Sequence, residues 1–526
     1  MNVQTSGSIS SSNDAGLKIQ EIYTPVSPLQ HPALSHWRNV EIEKGRPHRP
    51  DWKMYVGHGS PESTADRLAL LQGLGMESIL LAWDLPSQLG FDPDHRLSKS
   101  QVGRAGVSCA SLDDMRKTCS KVDLSQLTSL GLLANSVGWY GFGLALEVLS
   151  AADAMGTPIM MQNDPLKEFT ARGTDIFAPR DALRLAVDVL EYAVLNNVPG
   201  HAITVCSNHF DVAGAGPVLG LAFALANGVA YMDEVVRRGV DAAAAAEKVA
   251  LFINERSDFL MAAALFRVTR VLWADILRDR YGVDYSQPPV HLMGYAHGLE
   301  TPAEPLVNVA RVAVSVAAAT LGGADTLCAA AYDEALRIPS EDAAALALRT
   351  IQVASQEHGM SESVDPLAGS HKLEALGLEI EEIVRSEMAR IEEQGGAIAC
   401  IENDYVVSRI GDRQGHRTEM LESGRRPWIG VNMHVSNESR PLFAGPSAPD
   451  ASVLETEDLL IRRVSQIKAK QDGAVHKALD ALTRDVSRHT NCISATREAL
   501  RAGATVEQIT EATRRGLAAD IEGYDP

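Results

Sequence analysis

The chain has 526 residues, 45% of them hydrophobic, with a formal charge of −20 and a pI near 5.2. That is enough for a large barrel with extras or for two or three domains, with a sizeable buried core. The acidic balance argues against nucleic acid or an anionic membrane as the main partner, while a local arginine can still hold a small anion.

Residues 1–50 are rich in Pro, Ser and His and read as an N-terminal arm lying over the next domain. Met1–Gly16 lacks the apolar centre of a signal peptide. The scattered cysteines (Cys109, Cys119, Cys206, Cys328, Cys400, Cys492) form no CxxC pair, so they read as reduced thiols of a cytoplasmic protein. The apolar run Val312–Leu321 stops at Gly322-Gly323 and is too short to span a bilayer.

From Lys53 a regular pattern begins. Short strands are predicted over Lys53–Gly57, Ser78–Trp83, Gly131–Asn135, Pro158–Met161, Ala202–Cys206, Val249–Ile253, Pro289–Met293 and Thr326–Ala330. Helical patterns lie between them: Pro61–Leu74 after the N-cap Ser60, then Arg180–Asn196, Ala213–Arg238, Ser257–Tyr281, Ala303–Leu321 and Glu341–Glu357. Strands spaced by helices pair in parallel. Eight in this rhythm predict an α/β fold, a (β/α)8 TIM barrel, over 51–434 including a C-terminal extension. That extension carries a long helix, Lys372–Glu393, and a strand-like return, RRPWIGVN (425–432). Residues 435–453, rich in Ser, Pro and Asn, read as a linker, and 454–526 as a helical appendage whose Thr505–Leu517 helix starts from a Thr cap.

The strand ends carry the functional signal. They deliver Asp84, then Asn135-Ser136, then Gln162-Asn163-Asp164, then Ser207-Asn208-His209, and finally Tyr332-Asp333-Glu334. Such groups crowd one mouth of a parallel barrel, where sites of this fold sit. The stretch TPIMMQNDPLKEFTAR (157–172) is the fullest case, an apolar strand breaking into three polar residues before a helical segment that delivers Arg172. The chain has no hydrolase elbow, P-loop, dinucleotide fingerprint or HExxH, and no lysine at a strand end. His291 and His297 are six residues apart, which does not place them on one helix face, so ordinary polar roles are expected and no metal site.

The blocks SILLAWDLPSQLGFDPDH (78–95), GRAGVSCASLDDM (103–115), QNDPLKEFTARGTDIFAPR (162–180), RTIQVASQEHGMSESVDPLAGS (349–370) and RRPWIGVN (425–432) resemble the large chain of the adenosylcobalamin-dependent acyl-CoA mutases. The resemblance covers about residues 50–435 and, more weakly, the helical tail, and it too implies a (β/α)8 substrate domain. By this resemblance Tyr55 is the tyrosine over the substrate that helps release the adenosyl radical. Arg172 grips the free carboxylate of the acyl group. His209 hydrogen-bonds the thioester carbonyl, and Gln162 contacts the same region. Glu334 holds the adenosyl ribose, with Gly57 beside Tyr55 on the cofactor face. Each residue type suits radical chemistry: a guanidinium forks a carboxylate, a histidine stabilises a carbonyl oxygen, and a tyrosine ring makes a rigid wall with one polar handle.

The chain departs from the family pattern at several places. Asn208 stands where a tyrosine is usual and would face the substrate. Leu292-Met293-Gly294 replaces a His-Ser-Gln stretch, and Ala330 replaces an asparagine. The segment before Tyr55, RPHRPDWKMY, lacks the usual CoA-gripping Thr and Arg. The cobalamin signature Asp-x-His-x-x-Gly is absent, so the cobalt ligand is expected from a separate small cobalamin-binding subunit in a hetero-oligomer. The implied activity is a radical 1,2 rearrangement of a carboxylated acyl-CoA thioester, methylmalonyl- or ethylmalonyl-like. The alternatives are an unusual or carrier-bound thioester, or a non-catalytic structural paralogue paired with a true mutase chain.

Overall fold

The structure, a computed structural model, describes residues 9–12, 17–20, 30–44, 49–254, 258–286, 290–297, 301–435 and 452–520. Most of the linker expected over 435–453, and parts of the arm, lie outside these residues. Nine parallel strands build the central sheet. They are β1 (Asp51–Val56), β2 (Ser78–Ala82), β3 (Ser129–Leu133), β4 (Ile159–Gln162), β5 (Gly200–His201), β6 (Ile203–Cys206), β7 (Val249–Ile253), β8 (His291–Ala296) and β9 (Thr326–Ala329).

The sheet order runs β5-β4-β3-β2-β1-β9-β8-β7-β6. One end, β6, lies within the strand expected over Ala202–Cys206, and the other, β5, is a two-residue piece just before it that the sequence did not predict, with the break at Ala202. Gly200 and His201 pair with Ile159 and Met160, whereas Ile203–Cys206 pair with Val249–Phe252. The chain itself therefore closes the ring, and the fold is the expected α/β barrel. The runs SILLA, SLGLL and VALFI are buried along their whole length, as strands covered on both faces must be. β8 runs to Ala296, three residues past the predicted end, because Gly294–Ala296 pair with Leu327–Ala329.

Helices pack outside. The helix Pro61–Gly73 starts after Ser60, the predicted N-cap, which forms a reciprocal capping box with Ser63. Two stretches, Asn208–Arg237 and Pro305–Gly322, are long and apolar enough to cross a membrane, and both exceed the run read from sequence; 72% of the most apolar window of the first is buried in the protein. The segment 425–432 is a turn rather than a strand. Asn432 folds it by accepting from Trp428 N at 2.6 Å and donating to the carbonyls of Leu421 and Arg426, leaving a lone bridge between Ile429 and Met433. The helices Gly396–Glu402 and Tyr405–Glu422, unpredicted, precede it.

Four helices, Ser452–Lys470, Gly473–Ser487, Ile493–Ala502 and Val506–Asp520, dock on one side of the barrel. Arg497 and Arg501 both grip Glu147, at 2.7 and 2.8 Å. The loop after β2 is held more closely. Thr505 donates its hydroxyl to the buried Asp92 at 2.6 Å, Val506 N donates to Ala110 O at 2.9 Å, and Lys468 bridges Asp92 and Asp94.

Inside the ring one cation is sealed in. Lys53 is fully buried; its Nζ lies 2.9 Å from Met160 Sδ, with no carboxylate among the described residues at ion-pair distance. Burial lowers its pKa to about 8. Between pH 8 and its ordinary value the unfolded chain binds the extra proton, so stability rises with pH across that window and the cost is constant below it. Lys53→Met should therefore stabilise the chain by about 1–3 kcal/mol at pH 7 and flatten the rise toward pH 10. Denaturant unfolding at the two pH values measures both effects.

Candidate active site

The strand β4 ends at Gln162, and the next two side chains are spent on fastening. Asn163 Nδ2 donates to the carbonyls of Ala186 and Ala202, and a Cβ on Gly138 would lie 2.0 Å from Asn163 Oδ1. Asp164 accepts from Tyr231 OH at 2.7 Å and from Cys206 N at 2.9 Å. These ties lock β4 to β6 and set the following turns, Pro165–Lys167 and the wide turn Glu168–Arg172, which ends at Gly173 with φ +67°.

That second turn builds a charged chain. Lys167 and Glu168 are fully buried and form an ion pair, and Lys167 Nζ also donates to Asn135 Oδ1 at 2.8 Å. The other Glu168 oxygen accepts from the Thr174 hydroxyl and from Arg172 Nη1 at 3.3 Å. Arg172 Nη1 donates in addition to Gln88 Oε1 at 3.0 Å. Burial pushes the Glu168 carboxyl up, but Lys167, Arg172 and these hydrogen bonds outweigh it and hold it below the usual carboxylate range. Arg172 stays partly open, its side chain 26% exposed, and has only one nitrogen engaged in these contacts.

Of the other residues singled out in the sequence, His209 and Tyr55 lie close enough for the charge of Arg172 to act on them. The turn Asn208–Phe210 packs against Glu168–Arg172. Burial, reinforced by Lys167 and Arg172, holds the His209 pKa well below the ordinary imidazole value, so the ring is neutral at pH 7. Tyr55, on β1, has its ring 6.0 Å from that of Tyr295. Burial raises its pKa, the Arg172 field opposes this and the Glu334 field adds to it, and the phenol stays protonated. Glu334 is exposed at the rim and accepts from Tyr295 OH and Ala331 N. Gly57 is pressed against the neighbouring strand: a Cβ there would lie 2.0 Å from Ala82 O. Its lack of a side chain thus serves strand packing. His297 meets Asn254 at 2.7 Å and His291 meets Thr326 at 2.8 Å, ordinary polar roles for both.

Among the described residues, the buried polar atoms at the strand ends that have no hydrogen-bond partner include Asn135 Nδ2, Gln162 Oε1, Asn208 Oδ1, His209 Nδ1, Asn254 Oδ1 and Asp333 Oδ1. Leaving such a group unpaired costs about 1–3 kcal/mol each, and native structures hold few. Similar atoms lie elsewhere in the protein, Trp139 Nε1, Trp273 Nε1 and Thr510 Oγ1 among them, and those at the mouth are groups a polar ligand can use. Of the supporting groups, Glu168 is foreshadowed by its i,i+4 spacing to Arg172. Gln88, Asn254 and Tyr295 carry no local signal beyond lying in or near a strand end.

Two measurements test this arrangement. Glu168→Gln should cost about 3–5 kcal/mol in denaturant unfolding, because Lys167 is left as an unpaired buried cation, and Lys167→Met together with Glu168→Met should recover most of it. In NMR spectra of ring-labelled histidine, His209 should show no titration between pH 6 and 8.

The chain matches the profile of the methylmalonyl-CoA mutase family over residues 16–519. It is 32% identical to the 2-hydroxyisobutanoyl-CoA mutase large subunit of Aquincola tertiaricarbonis, over 88% of this chain and 82% of that protein. It is 31% identical to the ethylmalonyl-CoA mutase of Cereibacter sphaeroides, over 89% of this chain and 72% of that one. Against the methylmalonyl-CoA mutase of Escherichia coli the identity is 29%, over 83% and 61%. With its closed parallel barrel and its polar mouth, the chain belongs to the methylmalonyl-CoA mutase family, whose members are isomerases of the intramolecular-transferase kind.

Proposed function

We propose that the chain is the large, substrate-binding subunit of an adenosylcobalamin-dependent mutase. Its reaction is the 1,2 carbon-skeleton rearrangement of a carboxylated acyl thioester of the methylmalonyl or ethylmalonyl type. The observation that carries this reading is Arg172: a guanidinium held by Glu168 and Gln88, partly open, and set beside a neutral His209 and a protonated Tyr55. A fork of this kind binds and orients a planar carboxylate.

The residues fit the cofactor's needs at the rim. Glu334 presents an exposed carboxylate able to accept from ribose hydroxyls, and Tyr295 steadies it. When bound, adenosylcobalamin supplies the carbon radical that initiates hydrogen abstraction. The chain's own residues do the rest. Arg172 fixes the carboxylate end, and Tyr55 walls the acyl group on the barrel side. His209, uncharged, offers one ring nitrogen to the thioester carbonyl and stabilises charge gathering on that oxygen as the acyl group migrates. Gln162 and Asn208 add polar contacts from adjacent strand ends. Gln162 and Asn208 are buried, which limits water on that side of the reactive carbon.

A small cobalamin-binding subunit completes the proposed assembly. The name of the Aquincola relative, a "large subunit", supports such a partner. The cysteines among the described residues, all free and buried, support a reducing, cytoplasmic setting. Calorimetry with methylmalonyl-CoA tests the reading: Arg172→Ala should weaken binding by about 30-fold or more, the worth of a charged, two-point contact. Unchanged affinity would remove the carboxylated-substrate reading.

A further inference from the structure

The amides at the mouth follow one pattern. Leu133, Met160, Cys206 and Phe252 belong to a single apolar cluster inside the ring. Two positions on from each stands a carboxamide, Asn135, Gln162, Asn208 and Asn254, and all four are buried. Alternation along a strand carries positions two apart to the same side. Gln162 Nε2 reaches Asn135 Oδ1 at 3.5 Å, so these two meet across neighbouring strand ends. The loop that follows Asn135 is tied to the arginine turn: Ser136 donates its hydroxyl to Thr174 O at 2.8 Å, and the Thr174 hydroxyl in turn bonds Glu168.

Asn135 differs from the other three in what it leaves free. Its Oδ1 accepts from Lys167 Nζ at 2.8 Å. An ammonium has no lone pair to offer, so the amide oxygen must face it and the amide nitrogen must face away. That Nδ2 is buried and has no acceptor among the described residues, whereas on Gln162, Asn208 and Asn254 the unpaired atom is the oxygen. A group kept only to answer Lys167 would serve better as a carboxylate, which pairs more strongly with an ammonium and leaves no donor over. The backbone is also out of the ordinary here, with φ +36°, a region that asparagine tolerates and glycine enters without strain. Backbone positions of this kind gather at functional sites.

The acyl part of a carboxylated thioester carries oxygen acceptors only, on its carbonyl and on its carboxylate. The free donors beside the arginine turn are what such a group needs. Arg172 keeps nitrogens clear of its two contacts, and Asn135 adds an amide N–H whose direction Lys167 has already fixed. Building on the function proposed above, we infer that Asn135 is a further substrate-binding residue: its Nδ2 donates to an oxygen of the bound acyl group, the thioester carbonyl or the free carboxylate.

Calorimetry of the full chain tests this through two variants. Asn135→Gly suits the positive φ and removes the amide, while Asn135→Asp keeps an acceptor for Lys167 and puts an oxygen where the donor was. Each should bind methylmalonyl-CoA more weakly by about tenfold or more, with the Asp variant the weaker of the two. An affinity within about threefold of the native chain, in either folded variant, overturns the inference. Isobutyryl-CoA, which lacks the free carboxylate, separates the two oxygens: equal weakening there assigns the contact to the thioester carbonyl, and weakening of methylmalonyl-CoA alone assigns it to the carboxylate. A second readout uses the native chain with isotope-labelled asparagine. The Asn135 side-chain amide signals, identified by their absence from the Asn135→Gly spectrum, should shift and exchange more slowly with solvent when methylmalonyl-CoA saturates the chain. Signals that stay unmoved also overturn it. The two proposals fail separately. Arg172→Ala binding methylmalonyl-CoA as tightly as the native chain refutes only the carboxylated-substrate reading, Asn135→Gly doing so refutes only this inference, and failure of the native chain to bind either thioester refutes both.

Discussion

Closure of the parallel ring is the constraint on which the rest depends. β5 and β6 are two pieces of one strand on either side of Ala202, and each pairs with a different neighbour. Ala202 N and Ile203 N both reach Lys248 O, at 2.8 and 3.3 Å, so the break leaves no open sheet edge at that point. Because all the strands run in one direction, their C-terminal ends share one rim. Polar residues that would be isolated on an open sheet become neighbours there, and the apolar side chains on the inner face have only one another to pack against.

At the rim the protein spends stability on buried charge. Lys167 and Glu168 have left water completely, and removing two ions from solvent costs several kcal/mol each before their attraction is counted. Apolar residues of similar shape would pack there more cheaply. What the pair adds is geometry: Glu168 divides its oxygens between Lys167 on one side and Thr174 and Arg172 on the other, and this fixes the guanidinium before any ligand arrives. A group ordered in advance loses less freedom on binding.

The helical appendage belongs to this arrangement through one loop. Gln88, which holds Arg172, sits in the segment after β2, where its Nε2 donates to Trp83 O at 2.6 Å. A few residues on, Thr505 and Lys468 fasten Asp92, and a Cβ on Gly90 would lie 2.4 Å from the Thr510 hydroxyl. A segment more than 400 positions away in sequence thus packs against the loop that supports the site arginine. The contact is close enough that only glycine fits at position 90, where φ is +72°.

The sequence by itself determined the alternation of strands and helices, since apolar runs, caps and breakers are local signals. It also marked which strand ends are polar, and so named Arg172, His209, Gln162 and Glu334 before any coordinates. Its one misplaced element, 425–432, has a strand's composition, but the Asn432 side chain bends it into a turn. Tertiary structure alone decided what depends on distant partners. Burial makes Glu168 a support for Arg172 and keeps His209 neutral. The meeting of Leu80, Leu133, Met160, Phe252 and Met293 inside the ring turns five ordinary strand residues into one apolar cluster. No one of these residues reveals that alone, because forming such a cluster is a property of the whole ring, set by which side chains from different strands arrive together.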